Sequence, residues 1–268
     1  MLKLAISGKG GVGKTTLSSL LARIYAAKGH KVLAIDANPD ANFGAALGIP
    51  WEEIEKITPI AEMDALIEER TGAKPGTSAP FFKLNPRVDD IPDRFSVERN
   101  GVKLLMLGTV DSGGAGCICP ESTLLKALLS HLILRREDTV ILDMDAGVEH
   151  LARGTVRAVN AFIVVVEPGQ RSIQTAKSVK KLAADLGVEK TYVVGNKVNG
   201  AQDEEFIKSH LPDFEVLGFL SADPKVRDAD FQGVSPYDLA PNAVAEATKI
   251  VETLEKISRG SDGQKNAQ

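Results

Sequence analysis

The segment whose residue types point most directly to chemistry lies at residues 8–15. It reads Gly8, Lys9, Gly10, Gly11, Val12, Gly13, Lys14 and Thr15. This order matches Gly-x-x-x-x-Gly-Lys-Ser/Thr, in which the glycines let successive backbone N–H groups turn toward a polyphosphate without Cβ clashes. We expect Lys14 to contact the β and γ phosphates, the Thr15 hydroxyl to bind Mg²⁺, and Thr16 to complete the nucleotide site.

The residues around this loop predict the elements that hold it. Leu2, Leu4 and Ile6 indicate a short strand before the loop, and residues 15–27 carry apolar side chains at helical spacing after it. Because a helix N-terminus carries a partial positive charge, the helix and the loop N–H groups would act on the same anion. The alternative is a glycine-rich turn without a ligand, but strand, loop pattern and helix all lie in register.

Apolar runs and helical patterns alternate along the rest of the chain. The runs, which predict buried strands, are 31–36, 102–107, 139–143, 161–166, 191–196 and 216–220. The helical patterns are 122–135, 172–186, 203–210 and about 242–258. This alternation predicts an α/β fold with a mostly parallel central sheet, helices on both faces, and ligands at the carboxyl ends of the strands. We assign 1–258 to a single domain with an insertion at about 49–100, and expect the polar tail 259–268 to be disordered.

The composition limits the location and the partners of the chain. A net charge of −4 gives no electrostatic reason to expect nucleic-acid binding. No apolar run reaches the ~20 residues that span a bilayer, and the first residues form a predicted strand rather than a signal peptide. We therefore expect a cytoplasmic protein with no nucleic-acid and no membrane partner. With only two cysteines, a disulfide framework is implausible.

Two predicted strands end in aspartates that suit Mg²⁺ binding or the orientation of water. Asp143 ends one run, and we expect it to hold Mg²⁺ and Asp145 to lie in a loop that senses the γ-phosphate. Asp36 ends another run and is a candidate to orient the attacking water. The alternatives are an aspartate that only caps a strand end and, for residues 36–40, an exposed turn, since Asn-Pro-Asp is common in turns.

The nucleotide base is argued from Asn196, Lys197 and Asn199. A guanine site of the Asn-Lys-x-Asp type uses a carboxylate that accepts from two guanine N–H groups, and here the fourth residue is Asn199. An amide cannot replace both acceptors, so guanine should lose affinity. Because Asn196 can still bridge the acceptor and the donor on the outer edge of adenine, we predict ATP as the nucleotide, bound in part by Asn196 and Lys197.

Cys117 and Cys119 are the cysteines of the chain and lie far from the phosphate-binding loop in sequence. In extended backbone, residues i and i+2 point to the same side, so both sulfurs can face one ion. A closed tetrahedral thiolate site needs four ligands, and a twofold homodimer would supply the other two. Ligand type leaves Ni²⁺, Zn²⁺, Cu⁺ and an iron–sulfur cluster open, and two inert or redox-active cysteines are the alternative. His131, His150 and His210 lack ligand spacing.

These motifs resemble the MinD, ParA and nitrogenase-iron-protein group of P-loop NTPases, the SIMIBI type, whose phosphate-binding loop has an additional lysine where this chain has Lys9. Within that group the chain is most similar to the CooC and AcsF type of nickel-insertion ATPase, which matures carbon monoxide dehydrogenase and acetyl-CoA synthase. The segments that carry the resemblance are 8–15, 84–89, 117–119, 143–154 and 167–168.

The resemblance implies further roles. Lys9 would reach across a homodimer to the phosphates of the partner subunit, and would be catalytic together with Lys14, Asp36 and Asp143. Nickel would be the cargo of the two cysteines, with zinc as the other metal considered, and the client would be carbon monoxide dehydrogenase or acetyl-CoA synthase.

One departure from the group concerns hydrolysis. The group commonly has a second aspartate where this chain has Asn38. Either hydrolysis is slow, or one of three carboxylates orients the water: Asp36, Asp40 or Asp145. Two other functions compete with metal delivery. An iron–sulfur carrier or electron-donating ATPase usually spaces its cysteines farther apart, and a positioning ATPase would need a basic face or an amphipathic final helix.

Overall fold

The strands that the structure describes form one sheet. The computed structural model describes residues 2–76, 81–109, 119–145, 158–188 and 190–265, with side chains to 258. The described strands are β1 (Lys3–Gly8), β2 (Val32–Ala37), β3 (Val97–Arg99), β4 (Val102–Met106), β5 (Thr139–Met144), β6 (Ala161–Val166), β7 (Thr191–Val198) and β8 (Glu215–Ser221). Their order in the eight-stranded sheet is β3-β4-β2-β5-β1-β6-β7-β8. Neighbouring strands are parallel except β3 and β4, which are antiparallel.

Helices connect these strands. The described α-helices are α1 (Lys14–Ala27), α2 (Phe43–Ala46), α3 (Trp51–Ile54), α4 (Asp64–Thr71), α5 (Ile91–Phe95), α6 (Pro120–Leu134), α7 (Gln170–Leu186), α8 (Ala201–His210), α9 (Pro224–Gln232), α10 (Pro236–Leu239) and α11 (Pro241–Lys265), and a 3-10 helix spans Ile60–Glu62. Among the described helices, none is both long and apolar enough to span a bilayer.

The core lies on both faces of the sheet. Ile6 of β1 belongs to an apolar cluster with Leu17 of α1 and Ile250 of α11. Its neighbour Ala5 belongs to a second cluster with Leu128 of α6. Because successive strand residues point to opposite faces and both faces are covered, the central strands are continuous apolar runs. The predicted α/β fold with a mostly parallel sheet between helices is therefore confirmed.

The carboxyl ends of the central strands meet at one edge. Asp36 of β2 lies directly beside Asp143 of β5, and Gly8 of β1 lies beside Val165 of β6. The phosphate-binding loop therefore emerges next to both aspartates, as expected for a ligand site of a parallel sheet.

Strand β3 was not predicted, although the sequence contains a signal for it. Asn100 and Gly101 join β3 to β4 with positive φ at both residues, 53° and 76°. An Asn-Gly pair between two short extended segments is typical of a tight β-hairpin turn. The residues before this hairpin, which we treat as an insertion, form short helices between Trp51 and Phe95 in their described part.

The end of the chain also differs from the prediction. Helix α11 continues through Lys265, whereas the sequence predicted an end near Ser258 and a disordered tail at 259–268. Extending an existing helix requires no new nucleus, so polar residues with little to bury are compatible with continued helix.

Candidate functional site

The phosphate-binding loop connects β1 to α1 through two glycines that no other residue can replace without strain. A Cβ atom at Gly8, where φ is 149°, would lie 2.5 Å from the backbone oxygen of Val165. A Cβ atom at Gly13, where φ is 94°, would lie 2.1 Å from the side-chain nitrogen of Asn196. Glycine at these positions allows the loop to pass close to β6 and β7 and then to start α1.

Lys14 and Thr15 begin α1 and point to neighbouring polar groups of the site. The buried Lys14 ammonium nitrogen lies 3.4 Å from the backbone oxygen of Lys9 and 3.5 Å from Oδ1 of Asp145. The Thr15 hydroxyl donates a 2.6 Å hydrogen bond to Oδ2 of Asp143. The structure thus brings together the predicted phosphate lysine, the predicted Mg²⁺ hydroxyl and the predicted Mg²⁺ carboxylate.

Asp143 has the properties of a buried cation ligand. Burial above all, together with the charge of Asp36, raises the pKa of its carboxyl to about 7, against the hydrogen bond from Thr15 and the charge of Lys14, which lower it. Its Oδ1 is buried and has no hydrogen-bond partner. A carboxylate with one unsatisfied oxygen beside a hydroxyl fits Mg²⁺, which is bound in proteins through one or two such oxygens and several waters.

Asp36 is held differently from Asp143. Its Oδ1 accepts hydrogen bonds from the backbone and the side chain of Asn38, and its Oδ2 accepts one from the backbone of Phe43 at 2.9 Å. Burial raises the pKa of the Asp36 carboxyl, against these hydrogen bonds. Both oxygens therefore stabilise the turn at residues 38–43, an arrangement that favours a structural role over the predicted orientation of water.

Two other carboxylates face the cavity beside the loop. Asp40 and Asp145 both line it, and the half-exposed Asp145 side chain lies next to Lys14. The backbone oxygen of Asp145 accepts a 2.8 Å hydrogen bond from the Ser7 hydroxyl, which positions this residue relative to β1. Of the three carboxylates considered for water, Asp40 and Asp145 are the ones that open to the cavity. The sensor segment after Asp145, at 146–157, lies outside the described residues.

Asn196 and Lys197 lie against the backbone of the phosphate-binding loop. The Asn196 side-chain nitrogen donates to the Val12 oxygen at 2.7 Å, and its oxygen accepts from the Lys197 backbone N–H at 2.9 Å. The Lys197 ammonium group donates to the Gly11 oxygen at 2.6 Å. An amide group has two donors and two lone pairs, so Asn196 has one donor hydrogen and one lone pair beyond these two hydrogen bonds. The exposed Asn199 side chain donates to the Lys197 oxygen.

The cavity has the size of a small-molecule site, about 910 Å³. It is lined by the phosphate-binding loop, Asn196 and Lys197. A second group of lining residues comes from the end of β8 and the start of α9 and includes Ser221, Asp223 and Arg227. The sequence analysis missed this last group. The sequence did contain a signal for it, because Asp223 follows a predicted parallel strand, where ligand-binding residues are common. In the structure the Asp223 carboxylate caps α9 by accepting a 2.9 Å hydrogen bond from the Lys225 backbone N–H.

Lys9 is placed at the exposed side of the loop. Its ammonium group lies 3.9 Å from Oε1 of Glu167, and the Lys197 ammonium group lies 3.5 Å from Oε2 of the same carboxylate. Glu167 follows directly on β6, and sequence reasoning assigned it no role. Because partly exposed ion pairs contribute only ~0–1 kcal/mol, Lys9 can leave Glu167 at little cost.

The predicted metal site is described only in part. Cys117 lies outside the described residues. Cys119 is partly exposed and is the residue before α6, where its backbone oxygen accepts from Thr123 N–H at 3.0 Å. Within the described ranges, no three His, Cys, Asp or Glu side chains form a group that could hold a metal ion.

The histidines also do not form a metal site in the described part of the chain. His210 contacts the Phe206 ring, with ring centres 4.2 Å apart, and burial lowers the pKa of His131. His150 lies outside the described residues. These environments agree with the lack of metal-ligand spacing that the sequence shows at His131 and His210.

Known proteins resemble this chain over nearly its whole length. It matches the CobQ/CobB/MinD/ParA nucleotide binding domain over residues 3–237. The carbon monoxide dehydrogenase accessory protein CooC of Rhodospirillum rubrum is 44% identical over 94% of this chain and 96% of its own. An uncharacterised ATP-binding protein of Methanocaldococcus jannaschii is 43% identical over 96% of this chain and 98% of its own. The fold resembles the septum site-determining protein MinD of Pyrococcus horikoshii complexed with Mg-ADP, with a TM-score of 0.65, 20% identity, and coverage of 96% and 98%.

Proposed function

Because this chain belongs to the CobQ/CobB/MinD/ParA nucleotide-binding family and is an ATPase, we propose that it is a metallochaperone that delivers nickel to carbon monoxide dehydrogenase or acetyl-CoA synthase. Hydrolysis of ATP to ADP and phosphate drives a rearrangement of a homodimer, and the ion travels on the Cys117 and Cys119 thiolates of both subunits. The name of the Rhodospirillum rubrum relative, a carbon monoxide dehydrogenase accessory protein, supports this choice of client. We place the protein in the cytoplasm, and propose that residues 1–258 act as one ATPase domain.

The observation that carries the proposal is a direct connection between the nucleotide edge and the segment that leads to the cysteines. The backbone oxygen of Asp36 accepts a 2.8 Å hydrogen bond from the Leu107 N–H, immediately after β4. The side chain of the same aspartate holds the turn at 38–43, which borders the cavity. In the sequence, Cys117 and Cys119 follow Leu107 by about ten residues. A change in the turn on ATP binding would therefore reach the cysteine segment through one strand end.

Different residues of the site have different roles in hydrolysis. The loop N–H groups and Lys14 bind the phosphates, while Thr15 and Asp143 would hold Mg²⁺, which neutralises charge on the phosphoryl oxygens when bound. Asp40 or Asp145 orients the attacking water from the open side of the cavity. Lys9 leaves Glu167 and contacts the phosphates bound by the partner subunit, so that full activity requires the dimer.

Nickel binding and its dependence on the cysteines test the proposal. Ni²⁺ is titrated anaerobically into the wild type and into the Cys117→Ser/Cys119→Ser double variant, and mass is measured with ADP and with ATP. We expect one ion per wild-type dimer and none in the variant. Equal stoichiometry in both proteins would refute the metal site. Absorption from an iron–sulfur cluster after anaerobic purification would instead support the electron-donating ATPase.

A further inference from the structure

The side-chain amide of Asn38 is buried at the nucleotide cavity, and only one of its two ends has a partner. Asn38 directly follows β2 and is 7% exposed. It lines the cavity together with Lys14 and Thr15. Its side-chain nitrogen donates a 3.0 Å hydrogen bond to Oδ1 of Asp36. Its Oδ1 is buried and, among the residues that the structure describes, has no hydrogen-bond partner.

Asp36 sets the orientation of this amide. Its Oδ1 also accepts from the Asn38 backbone N–H at 3.2 Å, and its Oδ2 accepts from the Phe43 backbone N–H. Because both carboxylate oxygens act as acceptors, the amide presents its NH₂ group to Asp36 and not its oxygen. The free end of the Asn38 side chain is therefore an acceptor. A buried acceptor without a donor is costly, and such an atom in a native protein requires an explanation.

Contacts between strand ends place Asn38 at the phosphate end of the cavity. Asp36, which holds the Asn38 amide, lies directly beside Asp143 in the sheet. Asp143 accepts the hydrogen bond from Thr15, the residue after the predicted phosphate lysine Lys14. The unpartnered oxygen thus belongs to the part of the cavity where the γ-phosphate would lie, and not to the part formed by β8 and α9.

An acceptor at this place suits the orientation of the attacking water. A water molecule attacks phosphorus through a lone pair, and that lone pair has a fixed direction when both hydrogens of the water are donated to acceptors. In the proposed function, Asp40 or Asp145 supplies one acceptor, so a second is required. In other P-loop NTPases a side-chain amide orients the attacking water. The Asn38 oxygen can do the same, since an amide oxygen accepts hydrogen bonds without taking up a proton.

We propose that Asn38 is a catalytic residue whose Oδ1 accepts a hydrogen bond from the attacking water, beside the carboxylate that accepts the other. This inference rests on the roles in hydrolysis given under the proposed function, and not on the metal site. The water oxygen forms a bond to the γ-phosphorus, the bond from that phosphorus to the bridging oxygen of ADP breaks, and one water proton passes to the phosphate that is formed. Asn38 gains and loses no proton. It therefore orients the water as an aspartate would, without acting as a base.

Hydrolysis and binding of ATP by the full chain test the assignment. Asn38→Ala removes both ends of the amide, and Asn38→Asp keeps an acceptor oxygen but removes the NH₂ donor. The control is Asn160→Ala, an exposed asparagine before β6 whose Oδ1 accepts from the Lys3 backbone N–H at 2.7 Å. We expect Asn38→Ala to slow single-turnover hydrolysis by about tenfold to a hundredfold, with ATP affinity changed little and Asn160→Ala equal to the wild type.

The aspartate variant separates orientation of water from support of the turn. If the oxygen of residue 38 orients the water, Asn38→Asp hydrolyses ATP faster than Asn38→Ala. If only the NH₂ group matters, through its hydrogen bond to Asp36, both variants are equally slow, and the assignment is overturned.

Nucleotide analogues give a readout that does not depend on turnover. ADP with aluminium fluoride mimics the phosphoryl group during transfer, and ADP with beryllium fluoride mimics bound ATP. Because only interactions specific to the transition state change the rate of the chemical step, Asn38→Ala should weaken the first complex by a factor similar to the loss in rate and leave the second unchanged. Equal weakening of both complexes would overturn the assignment.

The wild type separates the two levels of inference. If the wild type does not hydrolyse ATP, the proposed function fails. If the wild type hydrolyses ATP and Asn38→Ala does so at the same rate, only the role of Asn38 fails.

Discussion

Asp36 and Asp143 are buried carboxylates on adjacent strands, and their hydrogen-bond partners differ. Both oxygens of Asp36 are taken by donors of the turn at 38–43, whereas Asp143 keeps Oδ1 without a partner. The sequence indicated the strand-end position of both residues. It contained no information on which oxygen would be occupied, since this depends on where the turn folds back.

The raised pKa of Asp143 predicts a pH dependence of stability. Its folded pKa of about 7 lies above the ordinary aspartate pKa of 3.8, so between these pH values the folded state binds a proton that the unfolded state releases. Stability of the Mg²⁺-free protein therefore falls as pH rises through this window. Asp143→Asn removes the buried charge, and we expect it to be more stable than the wild type by up to about 4 kcal/mol at pH 8, at ~1.4 kcal/mol per pKa unit.

Urea denaturation at several pH values between 4 and 8 measures this difference. The advantage of Asp143→Asn should be smallest near pH 4, where the wild-type carboxyl is protonated in the folded state. If the free energies of unfolding of the two proteins differ by the same amount at every pH, the raised pKa of Asp143 is contradicted.

At the scale of elements, the start of α1 depends on a close contact with the end of β7. The Asn196 amide group takes the space that a side chain at position 13 would need, and it also donates to the oxygen of Val12. The glycine pattern was visible in the sequence because it is contiguous. Its partner Asn196 is distant in sequence, 184 residues from the adjacent Val12, and the packing of β1, β6 and β7 brings the two into contact.

Gly13→Ala tests this contact against a matched glycine. Gly72 has a similar φ, 81°, but a Cβ atom there would meet nothing within 4 Å. Both alanine variants lose stability through positive φ, by about 1–2 kcal/mol. We expect Gly13→Ala to lose about 1–3 kcal/mol more through the clash. Denaturation midpoints measure the difference, and adding Asn196→Ala should recover part of it. Equal losses at the two glycines would show that the contact is not tight.

At the scale of the whole molecule, the proposed working unit is a homodimer, and Lys9 is the residue that would sense the partner. In one chain Lys9 and Lys197 share the carboxylate of Glu167, which sequence reasoning did not connect to either lysine. The pair is partly exposed and therefore weak. Transfer of Lys9 to a partner's phosphates would replace a weak ion pair by a charge-assisted contact with several phosphate oxygens.

Lys9→Ala is expected to abolish the ATP-dependent dimer while changing ATP affinity of the single chain by only a few fold. The control is Lys28→Ala. The side chains of Lys28 and Lys9 are similarly exposed, 36% and 39%, and within the described structure each lies in an ion pair with a glutamate. Mass measured by light scattering with and without ATP decides between the outcomes. A Lys9→Ala protein that still dimerises with ATP would show that this lysine does not bridge subunits.

The sequence predicted the α/β alternation, the phosphate-binding loop and the strand-end aspartates. Each of these is a local pattern, because backbone geometry and burial repeat over a few neighbouring residues. The sequence did not predict which distant residues these residues contact. These partnerships depend on strand order and on how the insertion folds back. Asn196 contacts Val12, Glu167 lies between Lys9 and Lys197, and Glu121 contacts both Cys119 and Gly76. Side chains distant in sequence have no local signal for their contact, so only the packed sheet and its connections decided which of them meet.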